Sequence, residues 1–192
     1  MTQRLDVSMI IPLVAKVGDL EALVNEYGTV LQQLGKSFEF IFVLGPQHRE
    51  FASDLQDLRK RTNVDLTILA LPAPFHEATA LAAGFDRAAG DVVFTSAAFF
   101  QVKREAIPVM LEELETAGAD LVVARRYPRR GSFLNRLQAR VFHWLVRTLT
   151  ATEFHDVTCG FRAMTRQVAE ALHLYGDLHR FIPIIGRTLG FR

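Results

Sequence analysis

The chain has 192 residues, 49% of them hydrophobic, enough for one compact domain with a substantial core. Its 22 Lys and Arg offset 21 Asp and Glu, and a net charge of +1 selects no polyanionic partner. The one cysteine, Cys159, excludes an intramolecular disulfide framework, and no apolar run reaches the roughly 18–20 residues that span a bilayer.

In chain order, Val7 to Pro12 reads as a short apolar strand stopped by the proline, which cannot donate to a ladder. Asp19 opens a helix whose Leu20, Leu23, Val24, Val30, Leu31 and Leu34 follow the 3.6-residue period, and Gly35 ends it. Phe38 to Val43 is a strand, Glu50 to Thr62 a charged helix, and Val64 to Leu71 a strand broken by Pro72-Ala73-Pro74. His76 to Ala89 is an Ala-rich helix closed by Gly90. Asp91 to Thr95 is a strand, Arg104 to Ala117 a helix, and Asp120 to Ala124 a strand. Strands alternating with helices predict βαβ units and an α/β fold with a mostly parallel sheet.

After Arg125 the texture changes. From Arg125 to Thr152 there are seven Arg and no Asp or Glu. Pro128 to Ser132 is a loop. Phe133 to Leu149 is an amphipathic basic helix, either packed on the core with a solvated basic back or lying in a lipid interface. Phe154 to Arg162 is a loop or short extended segment, followed by helices at Arg166 to Leu174 and Phe181 to Leu189.

In an open α/β sheet, ligands bind beyond the carboxyl ends of the strands. Two of those ends carry Leu44-Gly45-Pro46 and Ser96-Ala97-Ala98-Phe99, with no carboxylate in either. Lys103, Arg104, Arg125 and Arg126 either face that crevice as phosphate-gripping cations or sit on solvated surface. Asp156 is a general base or a loop cap, and His179 a phosphate ligand, a partner of Asp156 or a helix-entry residue. His76 reads as a helix N-terminal residue and Cys159 as a buried small hydrophobe. The histidines follow no metal-ligand spacing, so zinc is not expected.

Several segments together resemble the family-2 glycosyltransferases, especially the polyprenyl-phosphate (dolichol-phosphate mannose) branch. Val7-Ser8-Met9-Ile10-Ile11-Pro12 is similar to that family's opening strand, with Ala15 and Lys16 where it has Asn-Glu. Phe75 to Gly84 resembles the helix that begins near Phe-Gly-Lys, with His76 and Glu77 at the Gly-Lys positions. Gly90-Asp91 precedes the fourth strand as in the family. Asp156 to Arg162 resembles its Asp-x-x-x-Gly-Phe-Arg segment, and His179-Arg180-Phe181 its His-Arg-Phe element. The departure falls at Leu44-Gly45 and at Ala97 and Phe99, where the family has Asp-Asp-Gly-Ser and Asp-x-Asp.

The resemblance implies a GT-A-like (Rossmann-like) three-layer α/β/α fold, residues 1–124 forming a nucleotide-sugar half and 125–192 an acceptor half. It places donor-binding positions at Pro12, Leu44, Gly45, Ala97, Phe99 and Lys103, and a catalytic role at Asp156. It places acceptor-binding positions at Arg126, Arg129, Arg130, Ser132, Arg136, Arg162, His179 and Arg180. The family uses Mg²⁺ or Mn²⁺, but with its ligands replaced no cofactor is expected. The function implied is sugar transfer from a nucleotide-sugar to a polyprenyl phosphate or other acceptor. The alternative is an inactive pseudo-glycosyltransferase that binds, regulates or scaffolds. Expected partners are nucleotide-sugar and lipid-phosphate ligands, a membrane surface touched through 133–149, and a second copy or an active relative. Nucleic acid is not expected. The expected location is cytoplasmic, in solution or peripheral on the cytoplasmic membrane face.

Overall fold

Runs of unbroken apolar residues can be buried on both faces only inside a sheet with helices on either side. The computed structural model of the chain, which describes residues 5–14, 16–62, 64–125 and 158–192, places them there. β1 (Leu5–Leu13) pairs in parallel with β2 (Phe38–Leu44) on one side and with β4 (Gly90–Thr95) on the other. β3 (Asp65–Ala70) adds in parallel beyond β2. β6 (Arg162–Thr165) runs antiparallel between β4 and the edge strand β5 (Leu121–Val123). The order across the sheet is β3-β2-β1-β4-β6-β5.

Alternation along β1 and β2 feeds two separate cores. Met9, Ile11, Phe40 and Phe42 pack with α1 (Leu20–Gln33), α2 (Phe51–Arg61) and α4 (Ala106–Glu115). Ile10, Ile41 and Val43 pack with α3 (Glu77–Arg87), α5 (Arg166–Ala171) and α6 (Ile182–Thr188). The result is the expected three-layer α/β/α arrangement. Close contact between layers demands a missing side chain at Gly84 in α3, where a Cβ would sit 2.4 Å from Ile10 Cγ2.

The amino-terminal edge of the sheet is held by a buried carboxylate. Glu39 accepts hydrogen bonds from the Ser8 hydroxyl (2.7 Å) and the Ala89 amide (2.7 Å). The Ser8 oxygen in turn accepts from the Gly90 amide at 2.7 Å. Half-exposed Arg87 stands 3.8 Å from the other Glu39 oxygen. β1, β2 and β4 therefore meet at one polar hub. Arg166 seals the junction beside it, donating to Ala88 O (2.9 Å) and Gly90 O (2.6 Å).

Several boundaries differ from the sequence reading, for physical reasons. β1 runs through Pro12 rather than stopping there. Ile10 O accepts from Ser96 N, so the alternate residue Pro12 turns its nitrogen to the same side, past the last β1–β4 pair. Its missing N–H costs no ladder bond. Residues 162–165 form a strand that the sequence reading omitted, because a four-residue antiparallel insertion carries too little alternation to register. Leu178–Phe181 is a short 3-10 turn that the sequence reading omitted, and it leads into α6, the helix read over Phe181 to Leu189.

Tyr27 of α1 is wholly buried, its ring 5.6 Å from Phe100 and 5.5 Å from Phe161, and burial pushes its phenol up to about 12. The neutral phenol is the form the fold favours, so its stabilising contribution is complete below about pH 10 and is lost as pH rises toward about 12. Tyr27→Phe should flatten that alkaline decline in denaturant midpoints measured across this range. Glu39→Ala should destabilise the fold by about 3 kcal/mol in urea unfolding, because it strands the Ser8 hydroxyl and the Ala89 amide. Glu39→Gln, which keeps an acceptor, should cost less.

Candidate functional site

Chain order fixes where a ligand can enter. From β1 the chain builds outward to β2 and β3, then returns to place β4 on the other flank of β1. The connections beyond β1 and β4 therefore diverge and leave a crevice between them. A cavity of about 140 Å³ lies there, lined by Pro12, Val14 and Lys16 from the end of β1 and by Ala97, Ala98, Phe99 and Gln101 from the end of β4. Antiparallel β6 brings its first residue, Arg162, opposite Thr95, and so to the same end of the sheet. Glu77 at the start of α3, Thr158, Gly160, His179 and Arg180 complete the lining.

Backbone contacts hold the two walls together. The Gly18 amide donates to Ala98 O at 2.7 Å, and a Cβ on Gly18 would touch Phe99 Cβ at 3.0 Å. Thr95 Oγ1 donates to Gly160 O at 2.8 Å. With the β1–α1 connection tied down in this way, the Lys16 ammonium stands over the Phe99 ring, 5.4 Å from its centroid. That separation lies within the range where the ring quadrupole attracts a cation.

On the opposite wall, Glu77 stands 3.5 Å from His179 Nε2. His179 is buried, and its Nδ1 has no hydrogen-bond partner among the described residues. Glu77 opens α3 in its first turn, where the helix dipole favours a carboxylate. Arg162 is almost completely buried, whereas Arg180 is exposed at the rim. Among the described lining residues, Lys16, Arg162 and Arg180 stand with the one carboxylate of Glu77.

At the β4 wall no described side chain offers a divalent cation a carboxylate. Mg²⁺ and Ca²⁺ are held by oxygen ligands, among them carboxylates. At the two positions where the resemblance expects aspartates stand the Ala97 methyl and the Phe99 ring. Among the described residues no group of three His, Cys, Asp or Glu converges in a way that could hold a metal.

Of the sequence-derived positions, Pro12, Ala97, Phe99, Arg162, His179 and Arg180 come together in this cavity. Leu44 does not. Its side chain is buried in the core, and Gly45 starts a short 3-10 turn one strand away. Lys103 and Arg125 line a different groove between α4 and β5, and Arg104 stands 3.5 Å from its neighbour Glu105 on an exposed face. Arg126, Arg129, Arg130, Ser132, Arg136, Asp156 and the segment 133–149, read from the sequence as a helix, lie outside the described residues. His76 is the N-cap of α3 and Cys159 is buried in the core. The sequence reading did not propose Lys16, Glu77 or Gln101 as ligands. The first two were visible there only as departures from a resembling pattern, yet both sit at element ends that converge on the crevice.

Comparison with known proteins agrees with this architecture. The family described as "Glycosyl transferase family 2" matches residues 8–172. The chain is 30% identical over 179 residues to an undecaprenyl-phosphate 4-deoxy-4-formamido-L-arabinose transferase of Pseudomonas paraeruginosa, covering 93% of this chain and 52% of that protein. It is 28% identical over 185 residues to a dodecaprenyl-phosphate galacturonate synthase of Rhizobium johnstonii, covering 94% and 54%. The chain thus spans about half the length of the curated relatives it matches. Among solved structures, glucosyl-3-phosphoglycerate synthase from Mycobacterium tuberculosis, in complex with Mn²⁺, UDP-glucose and phosphoglyceric acid, superposes with a TM-score of 0.71. That superposition covers 97% of this chain and 66% of the other at 15% identity, a likeness of fold, GT-A-like in type.

Proposed function

Because the chain belongs to glycosyl transferase family 2, we propose that it is a sugar-transfer domain of the polyprenyl-phosphate branch whose crevice engages phosphorylated ligands without a divalent cation. The observation that carries this reading is the cavity at the β1–β4 switch, where Lys16, Arg162 and Arg180 converge on a wall made of Ala97 and Phe99. The donor in this reading is a nucleotide-sugar, its diphosphate lying along that wall. The acceptor is a polyprenyl phosphate, the class named in the curated relatives. The acceptor side would be formed by Arg162, His179 and Arg180 together with the basic tract of Arg126, Arg129, Arg130, Ser132 and Arg136. Asp156 stands as the candidate base for the acceptor.

No helix among the described residues is long and apolar enough to cross a membrane. Contact with a bilayer in this reading is peripheral, through the basic amphipathic segment at 133–149, whose arginines would meet anionic headgroups.

A second reading is favoured by the apolar pair Ala97 and Phe99. A metal ion's Lewis-acid action is worth several kcal/mol at the transition state, and nothing at those two side chains replaces it. On that reading the domain keeps its ligand surface and acts by binding, as a regulator or scaffold of an active relative. The two readings share one binding behaviour and differ in turnover.

Calorimetric titration with UDP- and GDP-sugars, in EDTA and again in Mn²⁺, tests the shared claim. The dissociation constant is expected to change by less than about twofold between the two conditions, and tightening by about tenfold or more in Mn²⁺ would overturn it. Sugar transfer to a polyprenyl phosphate in EDTA separates the readings. Product in EDTA supports transfer, whereas binding without product supports the pseudoenzyme.

A further inference from the structure

Two departures from the resembling family fall on the same cavity and are opposite in sign. Where the family has Glu this chain has Lys16, and where the family has Lys it has Glu77; both line the crevice. The net charge of the pair is unchanged, but the cation has moved from the α3 wall to the β1 wall. There it stands over Phe99, one of the two positions where the family's carboxylates would gather a metal.

Resting on the diphosphate reading above, we infer that Lys16 is the cation of this site that meets the ligand's diphosphate, a role that a divalent ion has in the resembling enzymes. Its position is set rather than incidental. The Gly18–Ala98 hydrogen bond and the tight packing of Gly18 on Phe99 hold its loop against the β4 wall. The aromatic face beneath the ammonium attracts it without consuming any of its three donors. Lys16 is solvent-exposed, so an incoming anion reaches it. The displaced negative charge is occupied elsewhere, because Glu77 faces His179 across the cavity. An aspartate at position 99 would pull the ammonium into an ion pair and cancel its charge. Phe99 leaves that charge available to a ligand.

The ligand class this recognises is a diphosphate ester held by ammonium and guanidinium groups, with affinity that falls as salt rises. Titration of the chain with UDP and with inorganic pyrophosphate in EDTA tests the assignment. Lys16→Ala and Lys16→Met should each weaken both probes by about tenfold, and Lys16→Arg should restore most of the loss. Lys60→Ala, on the exposed face of α2, should leave binding unchanged. Lys16→Glu combined with Phe99→Asp should bind UDP only when Mn²⁺ is added. Equal binding by wild type and Lys16→Ala would overturn the role of Lys16 while leaving the diphosphate reading intact. Equal weakening by Lys60→Ala would also overturn it, as an effect of bulk charge. Absence of binding by the wild-type chain to either probe, with and without Mn²⁺, would instead overturn the diphosphate reading itself.

Discussion

A carboxylate buried beneath the sheet sets the height of everything above it. Glu39 of β2, Ser8 of β1 and the Ala89–Gly90 amides leading into β4 share one hydrogen-bonded hub, which fixes three parallel strands in register at their amino ends. Each strand then rises about 3.3 Å per residue, so Pro12, four residues above Ser8, reaches the crevice about 13 Å higher. A slip of one residue in β1 would reverse its faces and put Met9 and Ile11 where Ile10 belongs. It would also separate Pro12 and Lys16 from Ala97 and Phe99. Gly90 admits the hub because a Cβ there would lie 2.3 Å from the Ser8 nitrogen. The site is therefore positioned by an interaction on the opposite edge of the sheet.

The electrostatics of the crevice follow from which groups that register delivers. A divalent ion concentrates charge on one point and needs anionic oxygens around it, which cost repulsion until the metal arrives. Lys16 offers a single charge carried by the chain itself, lowered onto an aromatic face instead of into a carboxylate cage. On the proposed reading the exchange weakens the Lewis-acid action available at a bound diphosphate while retaining attraction for it. Glu77 and His179, on the far wall, keep a negative group near the site without placing it against the phosphate-facing wall.

Much of the scaffold was legible because it depends on local pattern. β1, β2 and β4 announce themselves as apolar runs, since burial on both faces removes the need for polar residues at alternate positions. What stayed hidden depends on contacts between distant segments. Glu39 sits inside an otherwise apolar strand, and its partners lie 31 and 50 residues away. Lys16 reads as an unremarkable loop lysine until Gly18 is tied to Ala98, 80 residues on. Lys103 has the composition expected of a phosphate ligand, yet it precedes α4 on the side facing β5, and no periodicity distinguishes that side from the crevice. Arg162 belonged to a motif, but its reach to Thr95 depends on an antiparallel pairing too short to read.

The bonds that close the crevice are independent of the side chains at positions 97 and 99. The ties between its walls run through main-chain groups and a threonine: Gly18 N to Ala98 O, Ser96 N to Ile10 O, and Thr95 Oγ1 to Gly160 O. None requires a carboxylate at positions 97 or 99. Fewer acids at one point also means less repulsion between like charges. Function on such a scaffold is set by the few side chains that project from strand ends, and these can change sign without disturbing the strands beneath.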